Sequence, residues 1–226
     1  MKYAEIEKCL NLEHLRCCGG FHPNSTDKLG QLNETISTAI IVGNAGNQTS
    51  FDFWAAFQAG PHHKENPLET WTRDILSEIA TELAADVLYP FDGPPYIPIL
   101  TWAERAEPVH QTPFGPLIHP EYGLWHAYRG VLLFKETIEI PPFHNSASPC
   151  IDCKDQPCLS ACPVNAIADR DFNIEACAGF LASDQGNTCS KEGCLARRAC
   201  PIGQDHIYEP AQAAFHLQAF LETYGP

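Results

Sequence analysis

The chain has 226 residues, 44% hydrophobic and 19% charged, with 14 Lys and Arg against 28 Asp and Glu for a formal net charge of −14. These proportions exclude global disorder, a fibrous repeat and a coiled coil. The negative balance gives no general attraction to phosphate backbones or anionic lipid, so neither nucleic acid nor a membrane is an expected partner.

Apolar runs stay short, as in Ala39 to Val42 and Val131 to Phe134, well below the roughly 20 residues of a membrane span. The N-terminus interleaves Lys2, Glu5, Glu7, Lys8 and Glu13 with apolar residues and so lacks a secretory h-region. The expected location is the cytoplasm, where eleven cysteines point to metal binding sooner than to disulfides.

Ala4 to Leu15 has helical apolar spacing, with Cys18-Gly19-Gly20 as its expected stop. Cys9 is expected in the core, and Cys17 and Cys18 are expected as free thiols because a vicinal disulfide is strained. Ser37 to Val42 reads as a buried strand, followed by a GNAGN turn and a helix from Ser50 to Gln58. His62-His63 reads as a solvated loop. Pro67 to Val87 carries Leu68, Trp71, Ile75, Ile79 and Leu83 at spacings of three and four, an amphipathic helix. Pro90 to Pro98 forms a proline-rich wall, and strands are expected at Val87 to Tyr89, Leu117 to Ile118 and Gly130 to Phe134, with Lys135 to Ile140 beginning to alternate. Trp54, Trp71, Trp102 and Trp125 are by default packing residues. This order predicts an α+β chain with helices covering a sheet.

Eight cysteines fall between Cys150 and Cys200, and the connector-like PPFHNSASP precedes them, which sets a boundary between 1–143 and 144–226. The first run is Cys150-x2-Cys153-x4-Cys158-x3-Cys162-Pro163 and the second Cys177-x11-Cys189-x4-Cys194-x5-Cys200-Pro201. In bacterial two-cluster ferredoxins each run ends in Cys-Pro, and that fourth cysteine ligates the cluster of the other run. The rule gives one [4Fe-4S] cluster to Cys150, Cys153, Cys158 and Cys200 and another to Cys162, Cys177, Cys189 and Cys194. The alternative is two four-cysteine zinc sites, which usually pair Cys-x2-Cys hooks. The long gaps of the second run leave cluster type and the order of Cys177 and Cys189 open. Pro210 to Tyr224, with Ala214, Leu217, Phe220 and Leu221 on one face, predicts a helix capping this module.

The cassette resembles the ferredoxin domain of epoxyqueuosine reductases and reductive dehalogenases, in which the electrons go to a cobalamin. A second stretch, IHPEYGLWHAYRGVLL from Ile118 to Leu133, resembles that of CblC-type cobalamin-processing proteins. That resemblance implies a nitroreductase-like α+β N-terminal domain that binds cobalamin and removes its upper ligand by decyanation or dealkylation. It places His119, Pro120, Gly123, Trp125 and Arg129 beside cobalamin, with Arg129 at the glutathione-contacting position. A guanidinium suits a carboxylate there, while Tyr122, Trp125 and Tyr128 offer stacking area.

The reading is an oxidoreductase in which a ferredoxin-like module, fed by an external flavodoxin, ferredoxin or reductase, reduces a bound cobalamin. Its rivals are a plain two-cluster ferredoxin and a corrinoid-dependent reductase of a small organic substrate. A flavin is the alternative occupant of the same fold site.

Overall fold

The computed structural model describes residues 1–27, 29, 35–46, 52–61, 65–144, 146–168 and 171–226. The chain divides into two compact units: Met1–Pro108 with His126–Asn145, and Val109–Trp125 with Ser146–Pro226. The chain passes between the units after Pro108, Trp125 and Asn145, so Val109–Trp125 belongs to the cysteine-bearing unit. No described helix is long and apolar enough to cross a membrane.

The first unit is built on a four-stranded antiparallel sheet of order β1-β2-β4-β3, formed by β1 (Arg16–Phe21), β2 (Thr38–Ala45), β3 (Asp86–Leu88) and β4 (His126–Phe134). β2 is buried along its whole length, as its run of β-branched and small residues requires of a central strand. It pairs with β4 from Thr38↔Phe134 to Ala45↔His126, with a bulge between Val42 and Gly43. β2 thus continues through Gly43, Asn44 and Ala45, where the sequence predicted a turn. Asn47, the end of that turn, lies outside the described residues.

Helices α1 (Tyr3–Leu12), α2 (Phe53–Ala59), α3 (Pro67–Glu82) and α4 (Ile99–Ala106) complete this unit. α1 and α4 pack on β1, and α3 packs on β3 and β4. α1 does not stop at Cys18-Gly19-Gly20. It stops at His14, which takes a left-handed φ of 60° while Leu15 N–H returns to the Leu10 carbonyl, a Schellman closure without glycine. The two glycines lie in β1, where a Cβ on Gly19 would stand 2.1 Å from the Ala106 carbonyl oxygen. Gly19 permits close approach to the end of α4, a helix the proline-rich flank concealed from the sequence reading, while Gly20 lies against Ala39 and Ile40 of β2.

α2 begins at Phe53, with Asp52 accepting from Ala55 N–H. The predicted start at Ser50 lies outside the described residues, as do His62 and His63. α3 ends earlier than predicted because Ala84 adopts φ 50° and releases the chain into β3. Pro90 to Pro98 holds no regular element, and Tyr96 there is 64% exposed. Lys135 to Ile140 forms no strand; Ile138 is buried and its N–H donates to Thr38 Oγ1. Trp54, Trp71 and Trp102 are core residues. Cys9 is half-buried beside Glu82, not in the core.

The second unit contains α5 (Pro157–Ser160), β5 (Ile167–Ala168), β6 (Asp171–Phe172), α6 (Ile174–Leu181), α7 (Asn187–Glu192), α8 (Leu195–Arg198) and α9 (Pro210–Tyr224). α9 has the predicted bounds and packs against α7 and α6. Its fully buried residues are Gln212 and Ala213, whereas the predicted face of Ala214, Leu217, Phe220 and Leu221 is half-buried.

Candidate functional site

All eleven cysteines are thiols. In the second unit, short elements separated by turns present eight of them. Cys158 lies in α5, entered through the left-handed Gln156. Cys177 lies in α6, whose N-terminus is capped by Asn173 accepting from Ala176 N–H at 2.9 Å. Cys189 lies in α7 and Cys194 precedes α8. Backbone N–H groups reach several sulfurs: Ala166 donates to Cys162 Sγ at 3.3 Å, Ala196 and Arg197 donate to Cys194, and Ile202 donates to Cys200. Such donors stabilise charge on sulfur and would tune a bound metal centre.

The thiols gather in fours. Cys158 interacts electrostatically with Cys200, Cys150 and Cys153, and these four line one small cavity with Pro113, Ile118 and Ile202. Cys177 interacts with Cys194, Cys162 and Cys189. Burial, reinforced by the neighbouring thiols, pushes the Cys177 thiol up to about 11, and burial also raises Cys150, Cys158, Cys194 and Cys200. Each set crowds groups that resist ionisation together, a cost that a cationic centre would reverse. Among the described residues, no three Cys, His, Asp or Glu side chains converge closely enough to hold a single metal ion.

The Ile118–Leu133 stretch is divided between the units. His119 to Trp125 belong to the cysteine-bearing unit, Arg129 to the other. His119 and Gly123 exchange backbone hydrogen bonds at 2.9 Å, closing a tight turn. His119 Nδ1 accepts from the N–H groups of Glu121 and Tyr122, which fixes the tautomer with the proton on Nε2. The ring stacks on Tyr122 at 4.6 Å, and Tyr122 meets His206 edge-on at 4.9 Å. Gly123 has φ +57°, and a Cβ there would lie 2.0 Å from Ile202 O; reciprocally, Gly203 has φ +73° and faces the Tyr122 carbonyl.

Ile118 and Leu124 form a core cluster with Cys200, and Cys150 packs against it. The Leu124 carbonyl accepts from Arg197 Nε at 3.0 Å. Arg197 in turn sits over Trp125 and Tyr208, at 4.4 and 4.6 Å from the ring centroids. Pro120 is exposed. His119 thus closes the turn and stacks on Tyr122, Gly123 brings its backbone against Ile202, and Trp125 packs with Tyr208 and Ala213, its Nε1 a buried donor with no partner among the described residues.

In the first unit, Arg129 Nε donates to Asn44 Oδ1 at 2.7 Å and its guanidinium lies 5.1 Å from the Phe53 ring. Asn44 is 1% exposed, and its Nδ2 is a buried donor without a partner among the described residues. The sequence reading missed a second feature here. Arg16 makes a bidentate pair with Glu107 at 2.7 and 3.0 Å, and Tyr128 donates to Glu107 Oε1 at 2.9 Å. Burial and the Glu107 charge hold the Tyr128 phenol well above its ordinary range, so Tyr128 is a hydrogen-bond donor to this pair. No sequence signal joined Arg16 to Glu107, which are 91 residues apart.

The fold defines a mixed α/β chain carrying a small antiparallel sheet and a cysteine-rich unit, and this architecture resembles that of epoxyqueuosine reductases. The enzyme from Streptococcus thermophilus superposes with a TM-score of 0.55 at 18% identity, covering 97% of this chain and 72% of that one. An epoxyqueuosine reductase solved with a tRNA-Tyr epoxyqueuosine-modified stem loop gives 0.50 at 15%, covering 93% and 70%. A selenomethionine-labelled epoxyqueuosine reductase gives 0.48 at 15%, covering 79% of this chain and 54% of that one. No family model matches the chain, and no curated protein matches it. The likenesses at TM-scores of 0.55 and 0.50 support, at the level of the fold, the epoxyqueuosine-reductase part of the sequence resemblance and lend nothing to its CblC-type part. The tRNA stem loop is that neighbour's partner; the expectation of no nucleic acid rests on net charge, which is a sum over the whole surface and does not decide a local contact.

Proposed function

We propose that the chain is a corrinoid-dependent iron–sulfur reductase of the epoxyqueuosine reductase type. The observation that carries this reading is the gathering of eight thiols into the two sets of four that ligand exchange between Cys-Pro runs requires. A zinc ion draws four sulfurs to about 2.3 Å from one point, whereas a four-iron cube holds its ligating sulfurs farther apart. The clusters supply one-electron transfer, with electrons arriving from an external carrier protein in the cytoplasm. The ferredoxin-like character of 144–226 belongs to this reading.

The corrinoid rests on the resemblance of the cassette and of Ile118–Leu133, and the residues present fit it in part. Asn44 offers a buried Nδ2 donor of the kind a corrin amide carbonyl would accept, with Arg129 fixing the amide through Oδ1. His119 Nδ1 is taken by the Glu121 and Tyr122 N–H groups and Gly123 by its approach to Ile202, whereas Trp125 Nε1, in the other unit, is likewise a buried donor with no partner among the described residues. A bound corrinoid supplies a cobalt centre that can be reduced and can attack an electrophilic substrate carbon. The chain's own part is to hold it, exclude water and deliver electrons. An internal electron supply also removes the need for glutathione, so upper-ligand dealkylation gives way to reduction of an organic substrate. A modified nucleoside in RNA is the substrate class to test first.

The test is an anaerobic titration of iron-reconstituted protein with cob(II)alamin, followed by electron paramagnetic resonance before and after a strong reductant. Loss of the lower-base nitrogen splitting, together with two coupled reduced cluster signals, is expected. An unchanged free-cobalamin spectrum beside intact cluster signals would leave a two-cluster ferredoxin. Flavin absorption after heat release would instead identify a flavin as the occupant.

A further inference from the structure

The mechanism requires electrons to enter from outside, and one face of the cysteine-bearing unit has the features of an entry port. β6 and α6 expose Phe172 at 43% and Ile174 at 40%, and the end of α9 exposes Tyr224 at 51%. Phe172 meets Phe220 at 6.1 Å and Phe220 meets Tyr224 at 5.1 Å, so these residues form a continuous patch. Beside it runs a solvent-open groove of about 840 Å³ lined by Val164, Ile174, Glu175, Gly179, Phe180 and Tyr224. An apolar patch of this kind is a mark of an interaction surface.

Two observations identify what the patch receives. Cys177 lies in α6, the helix that lines the groove, and Val164 follows Cys162 by two residues. The face is therefore built on the helix that carries one thiol of the second set, which would give a docked carrier a short path to it, and tunnelling falls steeply with distance. The exposed charges at the patch are acidic, Asp171 and Glu175, while the nearest cations along the chain are Arg170, Lys191, Arg197 and Arg198.

Resting on the cluster reading above, we infer that the β6–α6–α9 face is the docking surface for a one-electron carrier protein with a basic rim around an apolar centre. The carrier gives one electron and is oxidised by one; the cluster of Cys162, Cys177, Cys189 and Cys194 is reduced by one, and no proton need move. Opposite charge would speed the encounter and set its orientation, while a small apolar contact allows fast release. Nucleic acid is disfavoured on this face by the same carboxylates.

The probe is cytochrome c, a basic one-electron haem protein, run in the reverse direction against reconstituted, pre-reduced full-length protein by stopped flow. The wild-type rate is expected to fall as salt rises. Asp171→Lys combined with Glu175→Lys is expected to lower it about tenfold at low ionic strength. Ile174→Ser, which leaves the charge alone, is expected to lower it several-fold at all salt concentrations. Oxidation by a small neutral quinone should stay within about twofold in every variant. Unchanged cytochrome c rates in the variants, or equal losses with both acceptors, would overturn the assignment. Iron content and the reduced-cluster spectrum of each sample are measured first, and their absence from wild type would overturn the cluster reading itself.

Discussion

Gly123 and Gly203 face each other's backbone at distances no side chain tolerates, and both hold left-handed φ values. The left-handed region costs an L-residue about 1–2 kcal/mol, and the contact with Ile202 adds to it. Gly123→Ala is therefore expected to destabilise the protein by more than about 2 kcal/mol, read as a lower urea midpoint. Gly115→Ala, where φ is +113° but nothing lies within 4 Å, should cost only the backbone strain. The motif glycine was legible in the sequence; its partner beyond Cys200-Pro201 was not, because the contact joins residues some 80 positions apart. The same holds for Arg16 and Glu107. Removing one member of a buried bidentate pair costs about 3–5 kcal/mol, so Glu107→Gln should lower the unfolding midpoint strongly, while Tyr128→Phe, which leaves the ion pair standing, should cost about 1 kcal/mol.

At the scale of elements, apolar spacing identified α1, α3 and α9, and β-branched runs identified β2 and the second half of β4. The errors lie where a local signal serves a distant contact. Cys18-Gly19-Gly20 has the composition of a helix stop, yet Gly19 serves the approach of β1 to Ala106 and Gly20 its approach to Ala39. The GNAGN stretch has turn composition, yet Gly43 to Ala45 complete the pairing with β4. α6 offers a test of intrinsic propensity. Gly179 lies inside it with nothing within 4 Å of an added Cβ, so Gly179→Ala should stabilise the protein by about 0.5–1 kcal/mol. An unchanged or lower melting temperature would count against a well-formed α6 under Cys177.

For the whole molecule, the thiol sets couple stability to pH and to metal. In the metal-free chain Cys177 is pushed from about 9 to about 11. Folded protein keeps the proton that unfolded chain loses in that interval, so stability is complete below about pH 9 and declines as pH rises toward about 11. Iron loading should reverse the sign for these groups, because metal binds thiolate and releases protons. Reconstitution should therefore be more complete at pH 8.5 than at pH 6.5, checked by iron content. Cys200→Ala should reduce bound iron from roughly eight to roughly four per chain, whereas loss of all iron would show that the sets do not load independently.

The sequence by itself determined the cysteine spacing, the two Cys-Pro endings, the apolar faces of the long helices and the central strand, because each depends on residues close together in the chain. Tertiary structure alone decided that Ile118 to Trp125 belongs with the thiols, packed on Cys200 and held by Arg197, while Arg129 four residues later lies in the sheet of the other unit. Those placements come from backbone approaches and buried hydrogen bonds between distant segments, which leave no periodic trace in the order of residues.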